Sequence, residues 1–155
     1  MRGCQTQAAT SASAEHYVFL LDTNVISELV RPRPEPLVEE WLAQRPARHH
    51  YLSVLTLGEL SRGVALMPDG RRRSALLEWV SEAIPREYAG RLLPVDAEVS
   101  ARWGVLDAEA RRSGRPIGTV DGLLVATASV HGLTLVTRNV SDVADRSVPV
   151  LNPWA

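Results

Sequence analysis

The chain contains no lysine: all 17 of its basic residues are arginine. That absence disfavours a P-loop nucleotide site, a Schiff-base enzyme and a phosphorylated receiver domain, since each needs an ammonium at a set position. Cysteine is almost as scarce. Cys4 is the sole occurrence, so an internal disulfide is impossible and a four-ligand Cys/His zinc site has too few ligands. No apolar run approaches the roughly 18 residues that would span a bilayer, and the first residues lack the apolar stretch of a signal peptide. The expectation is a cytoplasmic chain without a membrane partner. The formal net charge of -1 supplies no general attraction to nucleic acid, so any such contact must come from a local patch. Histidines at 16, 49, 50 and 131 show no His-x-x-x-His spacing and no Gly-x-Ser-x-Gly elbow is present, which leaves zinc and serine hydrolase chemistry without support. The Trp residues form no base-stacking platform.

What is present suits one globular domain. A chain of 155 residues, 45% of them hydrophobic, can bury roughly 70% of its unfolded surface and needs no disulfide or structural metal. Residues 1–15 (MRGCQTQAATSASAE) are small and polar, and are expected to form a disordered leader. The folded domain is expected over residues 16–155. YVFLL, ending at Asp22, reads as a strand buried on both faces. Helices are predicted for NVISELV and PLVEEWLAQ, separated by the proline-rich RPRPEP. HHYLSV, LLPV, LTLVT and VPVLN are further strands. Between them, periodicity predicts helices over LTLGELSRGVALM, from Arg71 to about Tyr88, through Val99, Trp103, Leu106 and Ala110, and over DGLLVATASVHG. The loop RRSGRPIGT precedes the last of these. Alternating strands and helices predict an α/β fold with a central, mainly parallel sheet and helices on both faces.

In such sheets ligands bind beyond the carboxyl ends of the strands. Asp22 follows the first strand, Glu59 lies one turn into the helix after HHYLSV, Asp121 opens the buried helix, and Asp142 follows the TRN of Thr137, Arg138 and Asn139. Four carboxylates gathered at one edge repel unless a cation sits among them, and an all-oxygen set suits Mg²⁺ or Mn²⁺. Metal-assisted phosphodiester hydrolysis is the chemistry that follows. Each acid also has a structural alternative. Thr56-Leu57-Gly58-Glu59 fits a capping box, Asp121 can complement a helix dipole, and Asp142 can serve a turn. Asp22 has the least need of a purely structural charge, because Ser or Asn would serve equally between strand and helix. Arg71, Arg72 and Arg73 offer a phosphate contact or a solvated helix face.

Taken in order, LLDTNVISEL, the GEL containing Glu59, TVDGLLVATA and LVTRNVSD resemble the PIN-domain ribonucleases of the VapC or FitB toxin type, over about residues 17–155. The resemblance implies a PIN-like three-layer sandwich and a Mg²⁺- or Mn²⁺-dependent endoribonuclease acting on RNA. It also implies a homodimer, neutralised by a cognate small DNA-binding antitoxin. Asp22, Glu59, Asp121 and Asp142 match the acidic quartet as catalytic and metal-holding residues, with Thr23, Asn24, Thr137 and Asn139 as polar support. Two positions depart from the pattern: Gly122 stands where relatives often carry an acid or alanine, and Val143 where an aromatic is common. Two rivals compete. A haloacid-dehalogenase-like phosphatase needs a second acid where Asn24 stands, and a lysine. A PIN-like module without catalysis would bind RNA or a partner through the same pocket.

Overall fold

The computed structural model describes residues 17–155; the leader expected over residues 1–15, with Cys4, and His16 lie outside them. Five strands, β1 (Phe19–Leu21), β2 (His50–Ser53), β3 (Leu92–Leu93), β4 (Thr134–Val136) and β5 (Val150–Leu151), pair in the order β3-β2-β1-β4-β5. All four pairings are parallel. Around the sheet run α1 (Thr23–Glu28), α2 (Pro36–Ala43), α3 (Val54–Ala65), α4 (Arg71–Glu78), α5 (Ile84–Glu87), α6 (Ala97–Arg112), α7 (Thr119–His131) and α8 (Val140–Val143).

β1 is central because its residues are apolar on both faces. Phe19 and Leu21 enter one core with Val25, Val38, Leu60 and Ile84, while Leu20 enters the other with Val99, Leu106, Leu124 and Leu135. Leu20 and Leu21 are fully buried, and each such side chain contributes roughly 1.5–3 kcal/mol. α7 closes the second face. It is buried from Leu124 to Ala128, which explains its apolar composition all round, and Gly132 ends it in the left-handed conformation at φ 65°.

Several local expectations are corrected. The stretch from Arg71 to Tyr88 is not a uniform α-helix, because a π segment occupies Trp79–Ala83. Pro85 has no N–H to return to the preceding turn, and just before it the N–H of Ile84 reaches back to the carbonyl of Trp79. Within this stretch Val80 and Ile84 are buried, while Leu77 is exposed. A single-turn helix, α8, forms over Val140–Val143 and carries Asp142, for which a turn was the structural alternative. α7 starts at Thr119, so Asp121 is its third residue rather than its first.

Because every strand points the same way, the carboxyl ends of β1, β2 and β4 share one edge. Asp22, α3 and Thr137 all follow from that edge.

Candidate active site

Asp22 is the anchor of this edge. It is buried, 7% exposed, and its backbone N–H donates to the carbonyl of Val136 at 2.9 Å, tying it to the end of β4. Its carboxylate caps α1, Oδ1 accepting from the backbone N–H of Thr23 at 2.7 Å. Oδ2 accepts from the Thr137 hydroxyl at 2.7 Å and from Asn24 Nδ2 at 3.1 Å. A carboxylate has roughly four acceptor positions; three are filled here, which fixes its orientation. Serine or asparagine would cap the helix but could not accept all three donors as strongly.

The polar residues beside it form one network. Thr137, fully buried after β4, also accepts the backbone N–H of Asn139 at 3.1 Å and lies 3.4 Å from Asn24 Nδ2. Asn24 Oδ1 accepts the N–H of Arg138 at 3.5 Å. Asn139 enters through its backbone, and its side chain makes no capping bond to α8. Thr23 reaches the other way: its hydroxyl donates to Glu59 Oε1 at 2.7 Å. That bond links α1 to α3 and orients Glu59.

The capping box suggested for Glu59 does not form. Ser53 caps α3, its hydroxyl accepting from Leu55 N–H at 3.1 Å, and the helix begins at Val54. Thr56 is therefore interior to the helix, buried, with its hydroxyl unpartnered. Glu59 is left without a backbone donor to satisfy, half-buried and facing Thr23.

Asp121 sits in the first turn of α7 and is half-buried. Its pKa is raised above the ordinary carboxylate value, first by burial and then by the charges of Asp22, Asp142 and Glu59. The four acids thus share one electrostatic field although they come from four separate loops and helices. Asp142 is exposed on α8. Asp121 and Asp142 line a polar cavity of about 370 Å³. Glu59 and Thr23 line another, of about 180 Å³, with Leu60, Val64, Leu76, Trp79 and Val80. Among the described residues, no three His, Cys, Asp or Glu side chains stand close enough to hold an ion as positioned.

The departures from the motif have local reasons. A Cβ on Gly122 would lie 3.1 Å from Cδ1 and Nε1 of Trp103, so the indole of α6 occupies the room an alanine would need. Val143 is buried in the core with Leu20 and Val99. Of the arginine triplet, Arg72 donates to the Val30 carbonyl at 3.3 Å, and Arg73 to the Val64 carbonyl at 3.2 Å and Asp69 at 2.6 Å. Arg73 braces the turn before α4, and Arg72 ties α4 to the end of α1. Arg115 and Arg146, which line the cavity with Asp121 and Asp142, had no sequence signal beyond lying in polar loops.

Comparison with known proteins agrees with this arrangement. The PIN domain family profile matches residues 19–141. Toxin FitB of Neisseria gonorrhoeae is 40% identical over 137 residues, 88% of this chain and 99% of the toxin. A VapC ribonuclease of Sinorhizobium fredii is 38% identical over 88% of this chain and 98% of its own length. Among solved structures, FitAB bound to a DNA fragment superposes with a TM-score of 0.84 at 38% identity, covering 89% of this chain and 96% of that one. With a five-stranded parallel sheet, an aspartate fastened at the end of its central strand and relatives of that similarity, the chain belongs to the PIN-domain family.

Proposed function

We propose that this chain is a Mg²⁺- or Mn²⁺-dependent endoribonuclease, the toxin of a toxin-antitoxin pair, hydrolysing RNA phosphodiester bonds at Asp22, Glu59, Asp121 and Asp142. The observation that carries the reading is the gathering of the acids at one sheet edge, with Asp22 fastened by three donors, Glu59 bonded to Thr23, and Asp121 near enough that, after burial, the other three charges raise its pKa. Carboxylates held in mutual repulsion are stabilised by a cation, and the all-oxygen donor set fits a hard divalent ion. Asp22 is held rigid by its three donors, and Glu59 is aimed by Thr23. A bound Mg²⁺ or Mn²⁺ supplies polarisation of a phosphoryl oxygen and a lowered pKa for water. Thr137 and Asn24 keep the Asp22 carboxylate in its orientation, and Asp121, whose charged form burial and the neighbouring acids disfavour, is the carboxylate that a cation would relieve.

The FitB and VapC names of its relatives support the toxin and ribonuclease roles, and the FitAB assembly on DNA supports a small DNA-binding antitoxin as partner. The toxin itself is taken as a homodimer. An RNA substrate supports an activity in the cytoplasm. Among the described residues no helix is long and apolar enough to cross a membrane.

A second reading, a PIN-like module that binds RNA or a partner without cleaving, draws on the spacing of the acids, no three of which are positioned to grip an ion among the described residues. One experiment separates the two. The purified chain is incubated with total RNA in Mg²⁺, Mn²⁺ or EDTA, alongside Asp22→Asn and Asp121→Asn. Cleavage with either metal, abolished by EDTA and by both substitutions, is the expected outcome. Full cleavage in EDTA refutes the metal site, and RNA binding without cleavage in any buffer selects the second reading.

A further inference from the structure

The cavity beside Asp121 and Asp142 is also lined by Arg115 and Arg146, and its charges are not paired with one another. Among the described residues neither carboxylate forms a salt bridge with either guanidinium. Arg115 makes one ion pair, an exposed contact of its Nη1 with Asp145 at 3.5 Å, the kind that contributes little in water.

Arg146 is held in place at a cost. Its Nη2 donates to the carbonyl of Arg115 at 2.6 Å, and its Nε is buried without a partner. The residues on either side, Asp145 at φ 61° and Ser147 at φ 66°, are both left-handed without being glycine. A left-handed backbone is disfavoured for residues with a side chain, less for Asp than for Ser, and strain of this kind concentrates at binding and catalytic sites. A desolvated, unpaired N–H adds to that cost. The result is an Arg146 guanidinium tied to the backbone that carries Arg115, with both arginines bordering the same cavity as two acids.

We infer that Arg115 and Arg146 form a subsite for an RNA backbone phosphate adjoining the acidic end of the cavity, so that they position the strand for cleavage. The inference rests on the ribonuclease reading. Guanidiniums bind phosphate through paired N–H donors, and a polyanionic strand can meet them with one phosphate while its neighbour lies toward Asp121 and Asp142. An acidic protein segment would satisfy the arginines too, but the ribonuclease reading already brings an RNA strand to Asp121 and Asp142, and that strand carries its own phosphates past the two arginines. Arg115 and Arg146 are positioning residues here, acting on the strand rather than at the reacting atoms.

The test is binding of a short fluorescent 2′-O-methyl oligoribonucleotide, which cannot be cleaved, followed by anisotropy in EDTA and in Mn²⁺ across a NaCl titration. Arg115→Gln combined with Arg146→Gln should weaken binding about tenfold and flatten the dependence of log Kd on log salt by about 0.7 per arginine lost. Arg112→Gln, whose side chain donates only within its own helix to the Ala108 carbonyl at 3.4 Å, should match the parent. Arg146→Lys should recover part of the salt dependence. On cleavable RNA the double variant should raise KM and leave kcat within about twofold. Arg115 is largely exposed, so Arg115→Gln alone keeps the test intact should the double variant fold poorly. A parent that cleaves RNA while the arginine variants keep its affinity and salt slope overturns this inference and leaves the ribonuclease reading standing. A parent that binds no RNA overturns both. Variants that keep RNA affinity but lose the antitoxin assign the arginines to a protein interface instead.

Discussion

His50 makes the stability of this fold depend on pH in a calculable way. It opens β2 at 5% exposure, with its ring stacked on Trp41 at 5.8 Å and edge-on to Phe19 at 6.2 Å. Its Nε2 is buried without a partner. Burial first, then the charges of Arg91, His49 and Arg45, lower its pKa from 6.5 to about 4. A base whose folded pKa is depressed favours the native state above its unfolded pKa, and that contribution is lost as pH falls from 6.5 toward 4. At 1.36 kcal/mol per pKa unit the full loss is about 3 kcal/mol, of which about 2 kcal/mol has gone by pH 5. For a domain of this size that equals a fall of roughly 4–8 °C in Tm.

The assay is urea unfolding of the parent and of His50→Leu at pH 7 and pH 5. Leucine keeps a side chain of similar bulk against Trp41 and cannot titrate. The difference between the two proteins cancels the other histidines and the carboxylates. The parent should lose about 2 kcal/mol more than the variant between the two pH values, with equal m-values. Equal losses would refute the reasoning, because His50 would then be taking up its proton at the same pH in the folded and unfolded chain.

Three further outcomes follow from other contacts. The raised pKa of Asp121 penalises its charged form in the folded state, so that destabilisation is present at neutral pH and is relieved as pH falls through the raised pKa. Asp121→Asn should accordingly melt higher than the parent in EDTA, while Mn²⁺ should raise only the parent's Tm; a variant that melts lower in both buffers would make Asp121 a helix-end residue alone. Gly122→Ala improves helix propensity by about 1 kcal/mol but drives a Cβ against Trp103. Overpacking there should outweigh the gain and give a net loss of about 1 kcal/mol by thermal melting, and a higher Tm would show that the indole yields. Glu28, 2% exposed, accepts from Arg31 at 2.8 Å and from the backbone N–H of Glu35 at 2.9 Å, holding the proline-rich connection to α2. Glu28→Gln should cost about 1–3 kcal/mol in urea unfolding, and an unchanged midpoint would mean that the segment is held by its prolines instead.

The α/β class and the central strand were legible in the order of residues because each rests on local chemistry, and the same strand ends marked the candidate acids. YVFLL is apolar on both faces, the stripe through Val99, Leu106 and Ala110 has helical period, and a polar residue must follow a buried strand where the chain turns to solvent. The family resemblance added the expectation that four particular acids belong together. What local pattern could not carry was distance. Whether Glu59 served its own helix or another was settled when Ser53 capped α3 and the Thr23 hydroxyl arrived from α1. The three donors of Asp22 come from Thr23, Asn24 and Thr137, the last of them 115 residues away. The raised pKa of Asp121 depends on burial first and then on charges delivered by three other segments. The bond from Arg146 to the Arg115 carbonyl, invisible in two polar loops, lies between left-handed residues at 145 and 147 that only a folded surround can hold in place. Periodicity encodes which face of an element is apolar; which side chains meet across the sheet edge is decided by the parallel register, and that exists only once the two cores have packed.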